Sequence, residues 1–127
     1  MVGRVVNDAT MSLLEKGLDL ASVRHRAISG NLANANTPGY KRRDVSFETV
    51  MRRAIEGSMS GGDDEDVPIE RVVMVDGNRS QRNDGNNVDV DYEMTVLGEN
   101  TIIYNAIARQ LSLKLALMRT VITEGRR

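Results

Sequence analysis

The 127-residue chain has no cysteine and no tryptophan, one phenylalanine, one histidine and two prolines. Without cysteine there is no disulfide framework, no thiolate nucleophile and no Cys-based metal site. Aromatic residues make up 3% of the chain, too few for a large globular core or a base-stacking platform. No apolar run reaches the roughly 20 residues needed to cross a bilayer, so no direct membrane insertion is expected. Met1–Asp8 lacks the apolar stretch and cleavage site of a secretory signal. A net charge of −1 leaves no broad field for nucleic acid.

The charge that is present is unevenly placed. Residues 1–57 carry 9 basic and 6 acidic groups, residues 58–100 carry 3 and 11, and residues 101–127 carry 5 and 1. Basic ends around an acidic middle suit complementary packing between copies better than one steering field.

Two apolar stripes dominate the pattern. Met11, Leu14, Leu18, Ala21, His25, Ile28, Leu32 and Ala35 recur at alternating intervals of three and four. Val90, Met94, Leu97, Thr101, Tyr104, Ala108, Leu111, Leu115, Met118 and Ile122 do the same. This is the period of a coiled-coil seam. It predicts a mainly α fold, with long N- and C-terminal heptad helices packed as an antiparallel coiled coil and a short loop or β excursion between them. The helices are expected over Asp8–Asn34 and Asp89–Glu124, roughly 40 and 54 Å long. Asp8 or Thr10 can cap the first, and Asp89, Asp91 and Glu93 favour the start of the second. Ile102, Ile103, Ile107 and Leu113 make the second helix more apolar than one seam requires, which points to lateral partners.

The chain divides into a first helix at 1–36, an excursion at 37–87 and a second helix at 88–127. Within the excursion, Asp44–Ile55 reads as amphipathic and Gly57–Asp66 as a mobile acidic, Gly-rich loop. Ile69–Val75 reads as a strand ended by an Asp76-Gly77-Asn78 turn. The first helix is stopped sharply by Asn31-Leu32-Ala33-Asn34-Ala35-Asn36-Thr37-Pro38-Gly39-Tyr40-Lys41. Pro38 pushes Thr37 out of the α region, Pro-Gly favours a type II turn, and the asparagines suit a helix end.

No reaction chemistry is evident. A Ser-His-Asp arrangement would need His25, which lies on the first stripe and reads as partly buried or interfacial. Asp63–Asp66 and the group Asp84, Asp89, Asp91 and Glu93 lack calcium-loop spacing. No cofactor, metal or catalytic residue is expected. Lys41-Arg42-Arg43 is a compact basic patch. It permits a competing reading as a cytoplasmic coiled-coil adaptor or regulator that grips an acidic partner.

Asn31-Leu-Ala-Asn-Ala-Asn-Thr-Pro-Gly-Tyr-Lys-Arg-Arg-Asp-Val-Ser-Phe47 resembles the N-terminal signature of bacterial flagellar rod and hook proteins. The residues matching its turn are Asn31, Asn34, Asn36, Thr37, Pro38, Gly39, Tyr40 and Lys41. Asn86–Asn100 and the following Tyr104–Ser112 resemble the last helix of the short, proximal rod members. About 50 residues between the helices fit a minimal rod subunit. The resemblance implies a non-enzymatic structural protein that transmits motor torque and assembles with its own copies and other rod proteins. It also implies export without a cleaved signal, to the rod crossing the periplasm. Phe47 and Met51 match the Phe-x-x-x-hydrophobic element of early export substrates. The stripes would then be assembly surfaces, carried by Leu14, Leu18, Ala21, Ile28 and Leu32, and by Met94, Leu97, Tyr104, Ala108, Leu111, Leu115, Met118 and Ile122.

Overall fold

Two long helices run antiparallel, and a short excursion returns against the first. The computed structural model describes residues 9–60, 73–77 and 82–125. The elements are α1 (Ala9–Ala33), β1 (Arg43–Val45), α2 (Phe47–Ser60), β2 (Val73–Val75) and α3 (Val90–Glu124). Asp8 as a cap, the acidic run Asp63–Asp66, the start of the Ile69–Val75 segment and Asn78 lie outside the described residues. At 1.5 Å per residue, α1 and α3 are about 37 and 52 Å long.

The antiparallel register is fixed by contacts spread along α1. Asn31 bonds Glu93, Asn100 bonds the Ala21 carbonyl, and Gly17 lies against Ile107. A Cβ on Gly17 would sit 3.1 Å from Ile107 Cδ1, so the two helices approach closely because residue 17 has no side chain. The neighbouring face of α1 meets the excursion. Leu20 and Val45 are buried there, with Val23, Ala27, Phe47, Val50, Met51 and Val73 packed around them. β1 and β2 pair antiparallel, Arg43 opposite Val75 and Val45 opposite Val73.

Several sequence expectations are corrected. The packed face of α3 is buried at Glu93, Val96 and Asn100 and half-buried at Ile103 and Ile107. Each lies one residue before the corresponding member of the expected stripe. Met94, Tyr104, Leu115 and Ile122 are exposed, whereas Leu97, Ala108, Leu111 and Met118 flank the contact half-buried. An apolar pattern passes over Glu93 and Asn100, but polar groups are buried readily when hydrogen-bonded. Of the first stripe, Ala21 and Ile28 on α1 and Ala35 just beyond it are buried and Leu14, Leu18 and Leu32 half-buried, but His25 is exposed. Thr10 lies within α1 and does not cap it. Asp44–Ile55 is split into β1 and the first part of α2, and α2 runs on through Gly57 to Ser60, where a loop was expected.

Candidate functional site

α1 ends as its sequence requires. Asn34 donates from its backbone N–H (3.1 Å) and from Nδ2 (2.8 Å) to the Gly30 carbonyl, and Thr37 Oγ1 donates to Asn34 Oδ1. Tyr40 N–H then closes on the Thr37 carbonyl at 3.2 Å, with Gly39 at φ +72°. That is the geometry for which proline followed by glycine is suited. Pro38 and Asn36 are exposed, so this turn is presented at the surface while its base is anchored beneath.

The anchor consists of three asparagine side chains that stand in for backbone. Asn31 is fully buried and uses all four of its bonding positions. Its Nδ2 donates to the Arg43 carbonyl (2.7 Å) and to Glu93 Oε2 (3.1 Å). Its Oδ1 accepts from Arg43 N–H (2.8 Å) and from the Tyr40 hydroxyl (3.3 Å). Asn87 extends the opposite edge of β1: Oδ1 accepts from Arg42 N–H and Nδ2 donates to the Asp76 carbonyl. Asn86 Nδ2 reaches the carbonyls of Asn34, Ala35 and Thr37 just beyond the end of α1, sharing those of Asn34 and Thr37 with the N–H groups of Thr37 and Tyr40. Arg82 adds a cation at the Ala35 carbonyl, and Lys41 Nζ donates to the Gly85 carbonyl at 2.6 Å.

Arg42 sits at the centre, only 4% exposed. Nε donates to Glu93 Oε1 at 2.8 Å, while Nη1 and Nη2 meet Asp76 and Asp44 at 3.2 Å. The Tyr92 ring lies 5.1 Å from the guanidinium carbon, within cation–π range. Burial acts to lower the Arg42 pKa. The hydrogen bond and charge of Glu93, the charge of Asp44 and the hydrogen bond to Asp76 outweigh it and raise the pKa above its ordinary value. The guanidinium is therefore permanently charged, and a planar fork with several donors suits three separate carboxylates. The expected basic patch is consequently absent as a surface. Lys41 is engaged, Arg42 is buried, and only Arg43 is exposed.

The acidic residues near the start of α3 have other work. Asp89 caps α3, accepting from the N–H groups of Asp91 and Tyr92, and Asp84 accepts from Asn86 N–H. Among the described residues, no cluster of His, Cys, Asp or Glu is arranged to hold a metal ion. The sequence placed Glu93 among the carboxylates that favour the start of the second helix and assigned no bonding role to Asn86 or Asn87. The available signal was a paired asparagine three residues before a capped helix.

A second feature lies along α3. Ile102 is 71% exposed and Leu113 59%, with Leu117, Val121 and Ile122 each at 66%. Ile102, Ala106, Leu113 and Leu117 share one exposed helical face, turned to the side and away from the Asn100 face that packs on α1. A helix apolar on several sides is suited to being buried on several sides. Among the described residues, no helix is long and apolar enough to cross a membrane. Phe47 and Met51 are both half-buried in the core beside Leu20.

Residues 12–41, which contain most of α1 and the whole turn, match the family described as flagella basal body rod protein. The chain is 34% identical to the flagellar basal body rod protein FlgB of Bacillus subtilis (strain 168), over 92% of this chain and 95% of that protein. It is 34% identical to FlgB of Borrelia hermsii over 77% and 84% of the two chains. With FlgB of Escherichia coli (strain K12) it shares 25% identity over 93% and 96%.

Proposed function

The chain belongs to the FlgB family of flagellar basal body rod proteins, and from that premise we propose how it serves as a structural rod subunit. It is placed in the basal body and interacts with other basal-body proteins. A cytoplasmic adaptor is not favoured, because relatives over nearly the whole chain carry the rod name.

The proposed subunit stands in the proximal rod, where the rod crosses the periplasm, with copies and other rod proteins packed side by side. Their contacts run along the stripes of α1 and α3, and the uncovered apolar face of α3 is the observation that carries this reading. Torque passes through many interdigitated side chains, with no catalytic group. The turn Asn34–Lys41 is the hinge at which the chain leaves the helical layer, held in place by Asn31, Asn86 and Arg42. The subunit reaches its place through the flagellar export apparatus, which reads Phe47 and Met51 in the unfolded chain. Their half-burial in the folded core supports that order of events.

The test is complementation of a non-motile strain that lacks this gene. The native chain is expected to restore motility, and the double variant Leu113→Lys/Leu117→Lys to leave secretion intact but block rod completion. Normal motility of that variant would refute α3 as the assembly surface. Retention of the native chain inside a cell with a working export apparatus would refute the rod reading itself.

A further inference from the structure

An open groove of about 610 Å³ runs between the outer face of α1 and the strand pair. That volume falls in the usual range for binding clefts. Its lining includes Val23, Ala27 and Val73, together with Arg26, Arg43 and Asp19. Arg26 comes from α1 and Arg43 from β1, and both are exposed. Among the described residues neither arginine forms an ion pair, whereas Arg24 and Arg42 both reach Asp44. Two unpaired guanidinium forks over a small apolar floor suit a segment carrying carboxylates next to aliphatic side chains. An added β-strand is a poor occupant of the β1 edge, because the Asn31 amide already takes both Arg43 backbone groups.

We propose that this groove receives the acidic segment of a second copy of the chain, a contact that rests on the side-by-side assembly proposed above. The sequence Asp63-Asp64-Glu65-Asp66-Val67-Pro68-Ile69 has the required chemistry: four carboxylates followed by aliphatic residues. The acids meet Arg26 and Arg43, and Val67 and Ile69 lie on the floor of Val23, Ala27 and Val73. The pairing gives four of the eleven acidic groups of residues 58–100 a basic partner from residues 1–57, so each copy carries both halves of one contact.

Two charge reversals of the full chain test this, with self-association followed by light scattering at low and moderate salt. One is Arg26→Glu/Arg43→Glu. The other is Asp63→Lys/Asp64→Lys/Glu65→Lys/Asp66→Lys. Each alone is expected to weaken association by about tenfold. An equimolar mixture of the two is expected to recover it, since each then meets a complementary partner. Circular dichroism checks that both stay helical. A mixture no stronger than either variant overturns the proposal, because docking within one chain cannot be rescued by another molecule. Unchanged association in the arginine variant overturns it too. If Leu113→Lys/Leu117→Lys abolishes association that the arginine variant keeps, the groove contact fails and the α3 reading stands. The opposite result leaves the groove and removes α3. A native chain that remains monomeric at millimolar concentration refutes both.

Discussion

The two ends of α3 invert the usual relation between polarity and burial. Near its start, Glu93 and Asn100 are buried with Val96 between them. Towards its end, Leu113, Leu117, Val121 and Ile122 are more than half exposed. Burying a charge is tolerable only when partners are close at hand, and here Arg42, Asn31, Asp76 and Asp44 all belong to the same chain. Leaving aliphatic side chains in water costs free energy that this chain has no described element to recover. The junction is completed within the subunit, and in the assembly proposed above the far end of α3 is the surface that a neighbour covers.

Removing Glu93 should break the comparison most severely. Glu93→Ala leaves Arg42 buried with two longer, more exposed carboxylate contacts and strips Asn31 of an acceptor. The expected cost is about 3 kcal/mol of unfolding free energy, measured by urea titration with helicity as the signal. Glu93→Gln should cost less, since the shape is kept. A loss below about 1 kcal/mol for the alanine variant would mean that the junction does not hold the fold. Alkali does not reproduce the mutation. The Arg42 pKa is raised in the folded chain, so its contribution is intact below the ordinary arginine value. It is lost only as pH climbs through the raised one. Stability attributable to Arg42 is therefore flat across the neutral range.

Asn31→Ala comes next, at about 2 kcal/mol, because the Arg43 N–H and carbonyl lose their side-chain partner at once. Hydrogen exchange at the Arg43 amide should accelerate well before the centre of α1 is affected. Equal protection in both proteins would show that water replaces the amide without penalty. Gly39→Ala and Gly85→Ala follow, each near 1 kcal/mol. Their φ angles are +72° and +80°, and the added Cβ meets no atom closer than 3.7 Å. Backbone strain alone sets that cost.

The parts of this fold visible in the sequence were those in which one residue type acts locally. Pro38 and Gly39 define a turn from their own backbone preferences, and Asp89 caps the helix that follows it. The register of α3 was hidden because it depends on partners distant in sequence. Glu93 is buried only because Arg42, 51 residues earlier, is brought beside it. Asn100 is buried against the Ala21 carbonyl, 79 residues away. Its Oδ1 has no hydrogen-bond partner among the described residues, so the residue contributes register rather than stability, as a single asparagine does in a coiled-coil seam. The basic patch failed for the same reason: three adjacent cations say nothing of the carboxylates that the fold places around one of them.

The smallest effect on the isolated subunit is expected where the sequence is most apolar. Leu117 is 66% exposed, so replacing it with glutamine removes little buried area and leaves no cavity. Its unfolding free energy should stay within about 0.5 kcal/mol of the native value, and its helicity should be unchanged. Rod assembly should nevertheless suffer, because the same side chain would lie at the centre of a subunit contact, where a buried aliphatic contributes about 1.5–3 kcal/mol. A variant that is stable alone and defective only in company separates the two ends of α3 most cleanly. If Leu117→Gln instead destabilised the monomer by as much as Asn31→Ala, the far end of α3 would already be packed within the subunit. The contrast between a completed junction and a reserved surface would then fail.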